Sequence, residues 1–332
     1  MPTAPSTMQV LMMTDFNKLE LQELPLPKIQ PDEALLKIRS AGICGSDLHG
    51  YTGQSGRRTP PVIMGHEATA DVVAVGEDVE NVSPGARVAI FPLEYTPAGR
   101  KLIGMDLPGA YAEYTTWPAH NLYPLPDHLS YEAGAMAEPL AVTVHAVSMA
   151  PIQPYDTAFI AGAGPIGLLT LSVLRQTGVS QIAMSDISDS RLEFAQSLGA
   201  DVVINPRRQD PREVVNGFTE GAGVDIAFEA VGMSATCQQT LAVTRDGGTV
   251  IWIGNNHRNV EIDMQSIVTR ELKVLGTYGM NITDFKRALA MLSNGVIPTN
   301  QLINRRAKLT EGPTLFDELI ASPETIKCVF NF

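Results

Sequence analysis

The chain has 332 residues, 44% of them hydrophobic and 18% charged, which is enough apolar mass for two domains with real cores and too little polarity for disorder. Its 24 Lys and Arg against 36 Asp and Glu leave a formal net charge of −12, so nucleic acid and anionic membrane surfaces are unfavourable partners. Cys44, Cys237 and Cys328 are too few and too scattered for a disulfide framework, and Met1-Pro2-Thr3-Ala4-Pro5-Ser6-Thr7 has neither the basic nor the apolar part of a secretory signal, so a cytoplasmic protein is expected.

Residues 1–152 read as strand-rich and irregular. Short apolar runs such as Glu33-Ala34-Leu35-Leu36-Lys37-Ile38 and Asp71-Val72-Val73-Ala74-Val75 alternate with Gly and Pro, predicting a mostly β module. Over 153–279 the texture becomes a regular alternation of buried strand, turn and amphipathic helix, with strands predicted at 158–161, 181–185, 202–204, 224–229, 249–253 and 272–276. Six such strands make a complete doubly wound, parallel α/β sheet. Between the second and third, 189–198 places Leu192, Ala195 and Leu198 on one helical face, and Gly199 stands where a C-terminal cap belongs. Residues 280–332 hold a helix at 284–292 and a final apolar run, Ile326-Lys327-Cys328-Val329-Phe330, that do not extend this sheet and are expected to return to the first module.

The window 157–174 runs 18 residues without a charge and imitates a membrane span. Its glycines argue otherwise. Gly162-Ala163-Gly164-Pro165-Ile166-Gly167 is G-x-G-x-x-G directly after one strand and directly before a helical run, the context in which backbone N–H groups and a helix N-terminus cradle a pyrophosphate. Asp186 follows Gly167 by 19 residues, where an acid accepts hydrogen bonds from an adenosine ribose and repels a 2′-phosphate, which favours NAD over NADP. Arg191 is placed to stack on adenine or pair with a phosphate, which tempers that preference. Ile253, ending the fifth predicted strand, and Gly254 after it complete the expected cofactor set.

The first module carries a second chemistry. Cys44, His66 and Glu67 stand in the Gly-rich segments Gly42-Ile43-Cys44-Gly45-Ser46-Asp47-Leu48-His49 and Gly65-His66-Glu67; thiolate, imidazole and carboxylate together suit zinc. Glu138, before Pro139 where one texture gives way to the other, is a candidate ligand or substrate-facing base. Spacing alone leaves zinc open, since Cys44 lies 22 residues before His66 and no C-x-x-C is present. A lone Cys or His is more often an ordinary packed residue.

These segments, with Glu138-Pro139-Leu140-Ala141-Val142 and the Gly162–Gly167 loop, resemble in order and over nearly the whole chain the zinc-dependent alcohol dehydrogenases of the medium-chain dehydrogenase/reductase superfamily. Within it, the sorbitol and polyol dehydrogenase branch is most similar, with threonine dehydrogenases nearby. The resemblance implies a GroES-like β module, a Rossmann domain and a C-terminal return to the first module. It also implies one catalytic zinc on Cys44, His66 and either Glu67 or Glu138, with Ser46 and His49 in a proton relay. Two departures stand out. Residues 87–114 contain no cysteine, so the four-cysteine structural zinc lobe common in the family is absent or replaced, and Thr277-Tyr278 stands where polyol enzymes tend to place Arg-Tyr.

The expected reaction is hydride transfer between a secondary alcohol, or its ketone, and NAD, with zinc polarising the hydroxyl. Ser46 would accept the hydroxyl proton and pass it through the ribose hydroxyls to His49, while Asp47 orients His66. A homo-oligomer, dimer or tetramer, is expected. The rival readings are a zinc-free quinone- or enoyl-type reductase of the same superfamily and a non-catalytic NAD-sensing protein.

Overall fold

The computed structural model describes residues 5–97, 99–322 and 324–332; the first four residues, on which part of the leader reading rests, lie outside them. The chain divides into two compact units, one running to Glu138 and resuming at Ala288–Phe332, the other Pro139–Arg287.

The first unit is built on mostly antiparallel strands, with Ile303–Lys308 pairing in parallel on Lys327–Asn331. Among the described residues, a seven-stranded sheet runs Leu122–Pro124, Arg87–Ile90, Glu67–Val75, Glu33–Ile43, Lys327–Asn331, Ile303–Lys308, with Tyr114–Pro118 also pairing on Glu33–Ile43. Its apolar side chains enter a core that includes Trp117, Tyr111, Phe316 and Phe330, where the Tyr111 and Phe330 rings meet edge-on at 5.1 Å. The final apolar run is the strand Lys327–Asn331, antiparallel to Glu33–Ile43 with Cys328 opposite Ile43 and Val329 opposite Gly42. In the cysteine-free stretch the chain forms a small hairpin, Leu93–Thr96 with Gly99–Leu102.

The second unit holds a six-stranded parallel sheet among the described residues: β1 Thr157–Ala161, β2 Gln181–Ser185, β3 Val202–Ile204, β4 Val224–Glu229, β5 Thr244–Trp252 and β6 Lys273–Gly276. Their spatial order is β3-β2-β1-β4-β5-β6, the doubly wound arrangement whose order reverses beside β1. β5 begins five residues before the predicted 249, because Thr244 is already paired with Val224 ahead of a register shift, while Gly247 at φ +68 bends the segment that composition marks as a turn. Ser188 caps the helix Asp189–Ser197, its Oγ accepting from Arg191 N at 3.4 Å, and Gly199 follows it at φ +104. The helix Ile282–Ser293 starts two residues before the predicted 284, because Asn281 and Asp284 cap each other through reciprocal side chain to backbone bonds of 3.0 and 3.2 Å. The uncharged window resolves into β1, the glycine turn and the helix Pro165–Leu174; among the described residues no helix is long and apolar enough to cross a membrane.

Candidate active site

Sheet register assembles the first half of the site. Glu33–Ile43 lies between Glu67–Val75 and Lys327–Asn331, with Gly42 opposite Glu67 on one side and Ile43 opposite Cys328 on the other. Three segments remote in sequence therefore end side by side. Cys44 follows the central strand and caps the helix Gly45–Tyr51: its Sγ accepts from Ser46 N at 3.4 Å, and its own N–H donates to Asp47 Oδ2 at 3.1 Å. Ligand atoms of Cys44, His66 and Glu67 all lie within 4.8 Å of one another, a spacing that suits one cation.

Gly42 makes room for this cluster, since a Cβ there would fall 2.0 Å from Glu67 Oε2. Glu67 is fully buried and pairs with Lys327 Nζ, itself 2% exposed, while its Oε1 has no partner among the described residues. A buried carboxylate oxygen without a donor is costly unless a cation or proton meets it. His66 Nδ1 lies 3.5 Å from Asp47 Oδ1, an ion-pair distance but long for a hydrogen bond.

The electrostatics point the same way. Burial works against a charged His66, yet Asp47 and then Cys44 outweigh it and raise the imidazole well above its usual range. Burial would lift Asp47, but Arg58, His66 and Tyr111 hold its carboxyl below the ordinary range. Glu138 enters the same field from the start of the helix Ala137–Met149: burial, aided by Glu67, pushes it up to about 7 against the pull of His66 and Lys327. Its carboxylate lies outside the tight cluster that Glu67 shares with Cys44 and His66. Ser46 and His49 are half-buried on one face of the short helix, and burial lowers His49, so it is neutral and open to a proton at pH 7.

The residues expected to hold the cofactor lie in the second unit, along the carboxyl edge of the parallel sheet. Gly162 adopts φ +102, and a Cβ on Gly167 would fall 1.8 Å from Gly162 O, so strand and helix approach as closely as a phosphate loop requires. Gly164 caps the helix Pro165–Leu174 without a side-chain acceptor, leaving the N–H groups of the first turn for an anion. Pro165 and Ile166 form that first turn. Asp186 follows β2 and braces the loop, Oδ2 accepting from Ala163 N at 2.7 Å and Oδ1 from Ser188 N at 2.9 Å. Arg191 is half-buried on the next helix. Ile253 N and Gly254 N donate to Glu229 O at 2.8 and 3.1 Å, placing both directly after β5 on the same edge. Sequence reasoning missed Lys327, whose one signal is a charge inside an apolar run, and Arg58 and Tyr111, which carry no local signal.

Comparison with known proteins fits both halves. Residues 30–127 match the alcohol dehydrogenase GroES-like domain, and residues 165–294 match the zinc-binding dehydrogenase domain. The chain is 34% identical over 326 residues to the D-arabitol-phosphate dehydrogenase of Enterococcus avium, covering 93% of each. It is 32% identical to the sorbitol dehydrogenase of Bacillus subtilis, covering 93% of this chain and 92% of that one. A zinc-binding dehydrogenase from Sinorhizobium meliloti, solved bound to NADP, superposes with a TM-score of 0.91 at 30% identity over 99% of this chain and all of its own. The Cys44, His66 and Glu67 donors fit zinc, the open helix N-terminus fits a dinucleotide, and the chain belongs to the zinc-dependent alcohol dehydrogenase family of the medium-chain superfamily, oxidoreductases that work with zinc and a nicotinamide dinucleotide.

Proposed function

We propose that this chain moves a hydride between a secondary hydroxyl of a polyol or related hydroxy compound and NAD⁺. The observation that carries the reading is the convergence of a sulfur, an imidazole and a carboxylate within 4.8 Å, with one carboxylate oxygen left without a partner. Cys44, His66 and an acid hold the metal. Glu67 stands within the cluster and has Lys327 as counter-ion; Glu138 borders it and serves as the alternative ligand or as a base. Zinc supplies Lewis acidity at the substrate oxygen, and the nicotinamide supplies the hydride acceptor.

The chain's own groups handle the proton. Ser46 accepts it from the substrate hydroxyl, and His49, one turn along the same helix face, releases it to solvent. Gly162, Gly164, Pro165, Ile166 and Gly167 hold the pyrophosphate, while Asp186, Arg191, Ile253 and Gly254 bind the rest of the dinucleotide. Asp186 supports NAD over NADP, although one solved neighbour carries NADP. The polyol preference is drawn from the arabitol-phosphate and sorbitol enzymes. The same reading includes a cytoplasmic location and a homo-oligomer, for which the edge strand β6 with its exposed Leu275 is the candidate contact.

The test is a spectrophotometric screen of secondary alcohols, polyols, inositols and 3-hydroxy amino acids, run with NAD⁺ and with NADP⁺. Turnover that Cys44→Ser abolishes while NADH binding persists supports the proposal. If no compound changes the nicotinamide absorbance in the unmutated protein, the reading fails.

A further inference from the structure

Asp47 is fully buried, and each of its oxygens serves two groups. Oδ2 accepts from Cys44 N at 3.1 Å and from the Tyr111 hydroxyl at 2.7 Å; Oδ1 receives Arg58 Nη2 at 2.5 Å and faces His66 Nδ1 at 3.5 Å. One carboxylate thus touches the backbone of one proposed ligand and the ring of the other. What holds the carboxylate itself is a guanidinium and a phenol.

Arg58 is 1% exposed and ties together three segments. Besides Asp47, its Nη1 donates to Ser46 O at 2.5 Å and its Nε to Gly104 O at 3.2 Å. The chain makes space for it: a Cβ at Gly50 would lie 2.6 Å from Arg58 Cδ. The Tyr111 hydroxyl oxygen also lies 3.1 Å from Gly42 O, and its ring lies against Gly65, the residue before His66, where a Cβ would come within 2.6 Å. Phenylalanine would fill the same volume without that hydroxyl.

Burying a whole ion pair brings little net stability, because desolvation offsets the attraction. The fixed direction of Asp47 is what the arrangement secures. We propose that Arg58 and Tyr111 are positioning residues: by closing on the two oxygens of Asp47 they set the angle at which His66 and Cys44 face the metal, and Arg58, through Gly104, ties the 51–60 and 93–106 loops to that geometry. The inference rests on the proposed ligands Cys44 and His66, and it adds residues that touch neither substrate nor metal.

The full chain is stripped and reloaded with Zn²⁺ or Co²⁺, then compared with Tyr111→Phe, Arg58→Met, Arg58→Lys and Cys44→Ser. Tyr111→Phe and Arg58→Met each weaken Zn²⁺ binding, read by chelator competition, by about 10–100-fold, the usual cost of removing an outer partner of a metal ligand. The visible Co²⁺ bands shift in both, NADH affinity is unchanged, and Arg58→Lys restores part of the Zn²⁺ affinity. Tyr111→Phe removes one hydroxyl and keeps the ring, so it carries the test if Arg58→Met does not fold. Zn²⁺ affinity within about 2-fold of the parent with unshifted Co²⁺ bands, even alongside a lower melting temperature, would show these residues to be structural only and overturn the inference. A parent that binds no Zn²⁺, or a Cys44→Ser variant that binds it as tightly, overturns the ligand reading itself and this inference with it.

Discussion

Replacing Lys327 by Met tests the charge balance of the site most directly. The ammonium is 2% exposed, pairs with the fully buried Glu67 and donates to Ile43 O at 3.0 Å. Methionine fills much of the same volume, so the loss is electrostatic. Removing one partner of a buried pair costs about 3–5 kcal/mol, of which roughly 1 kcal/mol belongs to the Ile43 carbonyl left without its donor. Against a typical total of about 5–15 kcal/mol, this is a large share. Urea unfolding of EDTA-treated protein, followed by the fluorescence of Trp117, buried in the same core, reads it as a drop in midpoint at constant slope. Glu67→Gln in the Lys327→Met background removes the stranded charge and recovers most of the loss. Saturating zinc shrinks the penalty as well, because a divalent cation beside Glu67 replaces the missing ammonium. A loss below about 1 kcal/mol, or a double variant no more stable than Lys327→Met, refutes the reasoning.

Gly167→Ala drives a methyl to 1.8 Å from Gly162 O and opens the phosphate loop, so NADH affinity by fluorescence titration falls at least about 10-fold while zinc content holds; unchanged affinity would remove the loop from the cofactor site. Leu275→Lys puts a charge on the exposed edge strand β6, and if the proposed homo-oligomer forms through that edge the mass by ultracentrifugation falls from that of the parent; a parent of monomer mass, or an oligomer of unchanged mass, refutes that contact. For Glu138, raised from 4.5 to about 7, the folded chain keeps a proton that the unfolded chain has lost between those values. EDTA-treated protein therefore loses stability as pH rises through that window, with the raised His66 carrying the fall on above it, and Glu138→Gln flattens the part between pH 4.5 and 7 in urea midpoints; an unchanged slope between those values rules Glu138 out as its source.

The cofactor half was legible because its signals are local. A glycine spacing, the strand before it and the helix after it fall within the stretch from Thr157 to Leu174, and Asp186 stands one strand further on. β5 was the exception: Thr244 joins the sheet through a partner, Val224, that no nearby residue announces. The metal half was legible only as residue types. Cys44, His66 and Glu67 meet through the pairing of Gly42 with Glu67, and Lys327 reaches them through the pairing of Ile43 with Cys328, contacts made across the sheet and not along the chain. Arg58 and Tyr111 were invisible for a related reason. An arginine beside another arginine in a polar loop reads as solvated, and only the fold turns it inward onto Asp47.

The charges near Cys44 show why these residues belong together. With the thiolate, Asp47, Glu67 and Glu138 ionised, four negative groups face two fixed cations, Arg58 and Lys327, and two negative charges remain unmatched. Packed this closely in a low dielectric, such a set draws positive charge from whatever source is at hand. A proton answers that demand at His66, where Asp47 and Cys44 outweigh burial, while at Glu138 burial itself is the main upward push and Glu67 adds to it. One divalent cation meets the same demand in a single step. Lys327 and Arg58 thus set the site two charges short of neutrality, and a third fixed cation there would weaken its hold on zinc.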